Sequence, residues 1–154
     1  MVSEDVSVGG EESGGYTWKG GLPDRDGVLC ALLFLEIMQK TGKKSSELAA
    51  DIEKLYGKSV FLRKDFRLNK VIPDNLVFAE KLRKKLPKKI LGHAIAEQGT
   101  IDGLKIILDD DSWVLIRASG TEPLLRIYAE SPVTSTTEGL IEYAAKLTAT
   151  HLKT

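Results

Sequence analysis

The stretch VLCALLFLEIM, residues 28–38, constrains the fold of this chain more than any other part of the sequence. A helix through about Lys40 is predicted, with Asp24 or Asp26 at its start and Gly42 just past its end. Its apolar side chains point in nearly every direction around the axis: Leu29, Leu32, Leu33, Phe34, Leu35, Ile37 and Met38. Because a helix that is apolar all round has to be covered on more than one side, other elements must enclose it.

The neighbouring segments offer little cover for this helix. The first 23 residues are rich in glycine and are predicted to be loop. One amphipathic helix follows over residues 45–56, with Leu48, Ile52 and Leu55 on one face. Since two helices and a loop cannot enclose an all-apolar helix, we expect one of two arrangements. Either the chain begins partway through a larger domain whose sheet is missing, or it self-associates through the exposed helix.

From about residue 59 the pattern predicts a small domain that is complete in itself. SVFLRKDFRL is typical of a strand, and PDNLVFAEKLRKKLP is typical of a helix. Four further strands are predicted, one at about 94–98 and three in the segments LKIIL, WVLIR and LLRIYAE. A capping box of Ser135 and Glu138 then opens a last helix. This order predicts an α+β fold in two layers, an antiparallel sheet with helices on one face.

The composition excludes several classes of function. The chain has 154 residues, and its 22 Lys and Arg balance 22 Asp and Glu, so no global positive field favours nucleic acid or an anionic membrane. The single Cys30 cannot form an intrachain disulfide, and its apolar surroundings predict a small buried side chain rather than a reactive thiol. No apolar run approaches the roughly 20 residues that span a bilayer. These observations favour a cytoplasmic protein without nucleic-acid or membrane partners.

The motif RASGTEP, which begins at Arg117, combines several anion donors around one turn. The guanidinium fork of Arg117 matches two phosphate oxygens at once. Ser119 and Thr121 add hydroxyl donors, and Gly120 allows successive backbone N–H groups to converge. Glu122 would repel a phosphate and is expected to orient donors. The alternative is an ordinary hairpin turn whose hydroxyls point outward.

The motif GGEESGG, residues 9–15, is a candidate sugar-binding loop. Carboxylates accept hydrogen bonds from neighbouring sugar hydroxyls, and flanking glycines allow the backbone to approach closely. The alternative is a solvated loop near the end of the chain.

Four other features are assigned to structure rather than to chemistry. DRDG, residues 24–27, has too few carboxylates for a metal loop and suits a helix start. DDDS, residues 109–112, is a turn that would need further ligands to hold a metal. The run KLRKKLPKK is predicted to be the solvated end of a helix. His93 and His151 lack metal-ligand partners at useful spacing in the sequence.

Taken together and in this order, GEESGG, DRDGVLCALLFLEIM and LIRASGTEPLLRIYAES resemble the C-terminal part of the phosphohexomutase superfamily, the phosphoglucomutases and phosphomannomutases. The resemblance implies that residues 1–57 are the end of the third domain, a helical remnant of an α/β domain with the sugar-binding loop. It implies that residues 58–154 are the fourth domain, of the TATA-binding-protein-like type. A shared topology with the TATA-binding protein does not imply DNA binding.

The resemblance also implies a reaction for the parent enzyme. Hexose 1-phosphate and hexose 6-phosphate interconvert through a bisphosphorylated sugar and an enzyme phosphoserine, with Mg²⁺ and a hexose 1,6-bisphosphate as cofactors. Neither the serine loop nor the D-x-D-x-D-R metal loop occurs in this sequence. We therefore expect no catalytic and no metal-binding residue here, and no activity without the other three domains, which are its expected partners together with the hexose phosphate.

Carried over position by position, the resemblance assigns two kinds of binding residue. Glu11 and Ser13 match the ligands of the sugar hydroxyls, while Arg126 is retained only as a group supporting the phosphate loop. The residues that match the loop gripping the phosphate that is not transferred are Arg117, Ser119, Gly120 and Thr121.

Two other hypotheses compete with this one: a stand-alone phosphosugar-binding module without chemistry, and a purely structural domain. The sequence leaves glucose, mannose and glucosamine phosphates open, although GEESGG is closer to the gluco and manno branches.

Overall fold

The computed structural model describes residues 7–10, 15–21 and 24–151. The chain divides into two compact units, a first unit of Met1–Leu55 and a second unit of Tyr56–Thr154. No helix among the described residues is both long enough and apolar enough to cross a membrane.

The first unit contains a short hairpin and two helices. Strand β1 (Val8–Gly10) pairs antiparallel with β2 (Tyr16–Trp18), and the helices are α1 (Gly27–Thr41) and α2 (Ser45–Tyr56). The prediction that the whole opening is loop was therefore wrong for these strands. Each strand has only three residues, which is too short for an alternating pattern to be visible in the sequence.

Helix α1 has the ends that the sequence predicts. The Asp26 carboxylate accepts a hydrogen bond from the Leu29 backbone N–H at 2.9 Å, and Gly42 ends the helix in the left-handed conformation with φ of 66°. All residues of α1 are described and none is buried. The prediction of a buried cysteine is only partly met, because Cys30 is half-buried, with its Sγ 3.8 Å from the Tyr16 carbonyl oxygen.

The second unit has the predicted α+β architecture. Its six strands form one antiparallel sheet in the order β3-β8-β7-β6-β5-β4, and the sequence missed only the two-residue β4. The elements are β3 (Val60–Arg67), α3 (Asn75–Arg83), β4 (Lys89–Ile90), β5 (His93–Gly99), β6 (Leu104–Leu108), β7 (Trp113–Ala118), β8 (Leu124–Ser131), α4 (Thr134–Leu147) and a 3₁₀ turn (Ala149–His151).

The core of the second unit lies between one face of this sheet and the two helices. Alternate residues of the central strands are buried, as a period of two requires when one face is covered. Full burial of each large apolar side chain contributes about 1.5–3 kcal/mol. The buried set includes Phe78, Leu82, Leu104, Ile106, Leu108, Val114, Ile116, Leu125, Ile127 and Leu140. The opposite face of the sheet carries polar and aromatic side chains such as Arg117, Arg126 and Trp113.

Helix α4 begins differently from the prediction. The capping box of Ser135 and Glu138 was wrong, because Val133 occupies the N-cap position and makes no side-chain cap bond. Instead, the buried Thr137 hydroxyl lies 2.7 Å from Ser131 Oγ and donates to the Val60 carbonyl at 3.1 Å. Tertiary hydrogen bonds from the first turn of the helix to the sheet therefore fix its start.

Candidate functional site

Two arginines lie directly opposite each other on the outer face of the sheet. The register of β7 and β8 pairs Arg117 with Arg126, and the register of β8 and β3 pairs Arg126 with Asp65. Like charges directly opposite each other across a strand pair are destabilising. This pair therefore needs nearby negative charge, from the protein or from a bound anion.

The loop that follows β7 is held in shape by its own backbone and hydroxyl groups. The Ser119 N–H donates to the Leu124 carbonyl at 2.8 Å, and the Leu124 N–H donates to the Glu122 carbonyl at 2.8 Å. Ser119 Oγ accepts from the Glu122 N–H at 3.2 Å and lies 3.5 Å from Thr121 Oγ1. Glu122 thus contributes backbone groups to the turn, and the Ser119 hydroxyl accepts a hydrogen bond from one of them.

The predicted phosphate-binding residues come together around one cavity of about 210 Å³. Pockets for drug-sized ligands occupy roughly 300–1,000 Å³, so this cavity suits a single small anionic group better than a whole ligand of that size. Its lining consists of Arg117, Ala118, Ser119, Gly120, Thr121 and Arg126. A Cβ atom added to Gly120 would meet no atom within 4 Å, so the backbone there is open to an approaching ligand.

Arg126 contributes more to this cavity than the sequence indicated. Its Nε atom is buried and has no hydrogen-bond partner among the described residues. A buried donor without a partner is costly unless a ligand or water satisfies it. On the adjacent strand, Arg63 bonds to Asp65 and holds the pKa of that carboxyl below its usual range, with a smaller contribution from the charge of Arg126. Arg126 therefore joins Arg117 as a candidate anion ligand.

Asn75 and Asp102 also contact residues of this site, and no pattern in the sequence indicated either of them. Asn75 opens α3, and its Oδ1 accepts from the Ala118 N–H at 3.0 Å, which anchors the end of β7 beside the loop. Asp102 lies between β5 and β6, and its Oδ1 is 3.1 Å from Arg117 Nε. Both residues are remote from the loop in the sequence, so only the folded chain brings them to it.

The predicted sugar-binding residues Glu11 and Ser13 lie outside the described residues. The strands on either side of them are described, since β1 ends at Gly10 and β2 begins at Tyr16. Their role therefore stays a prediction.

One group of side chains in the described part of the chain is close enough to share a metal ion. Donor atoms of His93, Asp109 and Asp110 all lie within 4.8 Å of one another, which the spacing of these residues in the sequence did not indicate. His93 Nδ1 is 3.1 Å from Asp109 Oδ1, and the Ala94 N–H donates to Asp109 Oδ2 at 3.1 Å. The pKa of the Asp109 carboxyl is lowered, chiefly by the hydrogen bond from the Ala94 N–H and to a smaller extent by the contact with His93. These bonds account for the arrangement without an ion.

Two family models match the chain. The model described as "Phosphoglucomutase/phosphomannomutase, alpha/beta/alpha domain III" matches residues 1–56. The model described as "Phosphoglucomutase/phosphomannomutase, C-terminal domain" matches residues 40–147.

The similar curated proteins include three with different names. A phosphoglucomutase/phosphomannomutase of Thermococcus kodakarensis is 34% identical over 99% of this chain and 31% of its own length. A phosphoglucosamine mutase of Leuconostoc citreum is 32% identical over 94% of this chain and 27% of its own length. A phosphoglucosamine/phosphogalactosamine mutase of Sulfurisphaera tokodaii is 31% identical over 96% of this chain and 30% of its own length. The chain thus spans about 30% of the length of these relatives.

A solved structure shares the fold. The crystal structure of a phosphoglucomutase/phosphomannomutase family protein from Burkholderia thailandensis matches 95% of this chain and 29% of that chain, with a TM-score of 0.66 and 22% sequence identity.

Proposed function

The chain belongs to the phosphoglucomutase/phosphomannomutase family, and on that premise we propose that it acts as the C-terminal part of a phosphohexomutase. In this proposal the parent isomerase interconverts hexose 1-phosphate and hexose 6-phosphate through a bisphosphorylated sugar and an enzyme phosphoserine. This chain supplies recognition rather than chemistry. The observation that carries the proposal is the cavity that brings Arg117 and Arg126 together with the hydroxyls of Ser119 and Thr121.

The cavity matches the chemistry of a phosphate group. A dianion placed between the two guanidiniums offsets the repulsion across β7 and β8 and gives the Arg126 Nε a partner. The hydroxyls of Ser119 and Thr121 donate to remaining oxygens, and the open backbone at Gly120 lets the phosphate approach. In our proposal this is the phosphate that is not transferred.

The sugar would be recognised by a different part of the chain. Carboxylate and hydroxyl oxygens, as in Glu11 and Ser13, can accept hydrogen bonds from sugar hydroxyls. An enzyme that binds its sugar in two opposite orientations benefits from contacting the groups that both orientations present. These are a phosphate at one end and a band of hydroxyls in the middle. We propose that Glu11 and Ser13 grip these hydroxyls.

The choice among glucose, mannose and glucosamine phosphates would then lie outside the phosphate cavity. The cavity contacts a group that all three substrates share. The named relatives include phosphoglucomutase/phosphomannomutase and phosphoglucosamine mutases. Comparing binding of the three sugar phosphates with binding of inorganic phosphate would show how much the sugar adds.

The metal and the bisphosphate cofactor belong to the proposal for the parent enzyme. Mg²⁺ prefers six oxygen ligands in near-octahedral geometry. The His93, Asp109 and Asp110 group does not fit it, because one of its three donors is an imidazole nitrogen. We propose that other domains of the parent hold Mg²⁺ and the phosphoserine, and that those domains and the hexose phosphate are the partners of this chain. A cytoplasmic location, without nucleic-acid or membrane partners, is part of the same proposal.

An NMR titration of the chain tests the phosphate site. Inorganic phosphate, glucose 1-phosphate and glucose 6-phosphate should each cause saturable amide shifts over residues 117–121. Arg117→Ala should weaken this binding about tenfold or more, because charge-assisted hydrogen bonds are worth about 1.5–3 kcal/mol each. Lys40→Ala is the control, since Lys40 lies on α1 of the first unit and pairs with Glu36.

The results separate the competing functions. No shift over residues 117–121 at millimolar ligand would favour a plain hairpin turn and contradict the phosphate site. Mutase turnover by this chain alone would contradict a purely recognitional role. Saturable binding without turnover would agree with the proposal, and adding the remaining domains of a parent enzyme would then distinguish it from a stand-alone binding module.

A further inference from the structure

The loop between β5 and β6 places a carboxylate against the main arginine of the phosphate cavity. Asp102 Oδ1 lies 3.1 Å from Arg117 Nε. We propose that Asp102 is a positioning residue that holds the Arg117 guanidinium in the orientation used to bind phosphate. This inference rests on the phosphate site proposed above.

The loop that carries Asp102 is fixed on both sides of that residue. After it, Gly103 has φ of 108°, and a Cβ atom there would lie 2.5 Å from the Ile116 carbonyl oxygen and 3.1 Å from the Arg117 Cα. Before it, the Thr100 hydroxyl donates to Glu80 Oε1 on α3 at 2.9 Å. Glycine thus allows the loop to lie directly against the backbone of β7, so the position of Asp102 is coupled to that of Arg117.

Stability does not explain this ion pair. The side chains of Arg117 and Asp102 are 43% and 63% exposed, and exposed pairs contribute little to folding because water and salt screen them. Orientation is a better explanation. An acceptor at Nε restricts the rotation of a long side chain and leaves the terminal N–H groups free for phosphate oxygens. Ordering the guanidinium before binding reduces the entropy that binding would otherwise cost.

The charges across the sheet agree with this role. Asp65, Arg126 and Arg117 are neighbours across three strands, and Asp102 lies against the far side of Arg117. The row therefore has an acid at each end and two arginines in the middle. With the acids outside, the two cations can stay close together without bound phosphate, and the space between them remains available to an anion.

A pair of variants separates positioning from simple charge repulsion. Asp102→Asn removes the negative charge but keeps an oxygen that accepts from Arg117 Nε, whereas Asp102→Ala removes both. Positioning predicts that Asp102→Ala weakens binding of inorganic phosphate about two- to fivefold, the range for one exposed ion pair, and that Asp102→Asn preserves it. Asp111→Asn is the control, because it removes one charge at the opposite end of β6 and β7. Tighter phosphate binding by both Asp102 variants, or no change in Asp102→Ala, would overturn the proposal.

A second measurement requires no ligand. The heteronuclear NOE of the Arg117 Nε–H should show an ordered side chain in the wild type and in Asp102→Asn, and a mobile one in Asp102→Ala. An equally mobile Nε–H in all three would overturn the positioning role. Failure of phosphate to shift residues 117–121 of the wild type would instead count against the phosphate site, so the two failures are distinguishable.

Discussion

The helices of the two units bury their apolar side chains to very different extents. In the first unit, α1 has its predicted cap and stop, yet Leu32 and Leu35 are 57% and 59% exposed. In the second unit, Leu140 of α4 is fully buried against the sheet. The difference shows that local signals suffice to form a helix, whereas its burial requires partners from elsewhere.

The contrast also separates the two proposed recognition elements. The phosphate cavity lies on the second unit, whose sheet and core are complete among the described residues. The proposed sugar ligands belong to the first unit, whose longest helix, α1, has no buried residue. We therefore expect the phosphate site to form in this chain alone, and the sugar site to depend on whatever covers α1.

The largest expected effect comes from truncating one leucine in each unit. Leu140→Ala should destabilise the second unit by about 2–5 kcal/mol because it leaves a cavity in a packed core. Leu35→Ala should change the stability of the first unit by less than about 0.5 kcal/mol, because an exposed leucine loses little on truncation. The measurement is urea unfolding followed by tryptophan fluorescence, since Trp18 lies in the first unit and Trp113 in the second. Replacing the other tryptophan by phenylalanine isolates each signal.

The comparison would fail if Leu35→Ala lowered the free energy of unfolding as much as Leu140→Ala does. Such a result would mean that α1 is covered in solution. Sedimentation velocity would then test the self-association that the sequence predicts, and Leu35→Glu should convert an assembled species to monomer. A monomeric wild type would leave that association without support.

A smaller loss of stability is expected when a glycine with positive φ is replaced by alanine in each unit. Gly103→Ala should destabilise the second unit by about 3 kcal/mol, because strained backbone and a clash with the Ile116 carbonyl add together. Gly42 has φ of 66°, and no atom lies near an added Cβ. Gly42→Ala should therefore destabilise the first unit by only about 1–2 kcal/mol, the strain of the left-handed conformation. The same tryptophan signals measure both variants. Equal costs would show that the loop before β6 can move away from β7, and would weaken the case for Asp102.

The smallest expected effect is a pH dependence confined to the second unit. The folded-state pKa of Asp109 is lowered, chiefly by the Ala94 N–H and then by His93. Its stabilisation is therefore fully present above the unfolded value of about 3.9 and is lost as pH falls through the folded value. Urea midpoints of the wild type should exceed those of Asp109→Asn at neutral pH and converge with them in acid. Asp111→Asn is the control, and a constant difference down to pH 2 would contradict this assignment.

Prediction from sequence succeeded where a feature depends on residues close together in the chain. Asp26 accepts a hydrogen bond from a backbone N–H three residues away, and Gly42 ends the same helix. Both ends of the helix could therefore be predicted from the local sequence. The strands of the second unit were visible because burial of one face imposes a period of two. The hairpin of the first unit was missed because its strands are too short to show that period. Ser135 and Glu138 had capping spacing, but the Thr137 hydroxyl bonds to β3 instead, a contact 77 residues away in the sequence.

The sequence by itself determined the order of the four helices and of the five longer strands of the second unit, the α+β class of that unit and the donor-rich loop at Arg117. Each of these depends on local conformation or on the pattern of one segment. Only the tertiary structure decided that Arg126 faces Arg117 and that Asp102 and Asn75 contact the same site. These facts depend on strand register and on packing between distant segments. The free energy of such contacts is set by which groups meet after folding, and no single segment of the sequence contains that information.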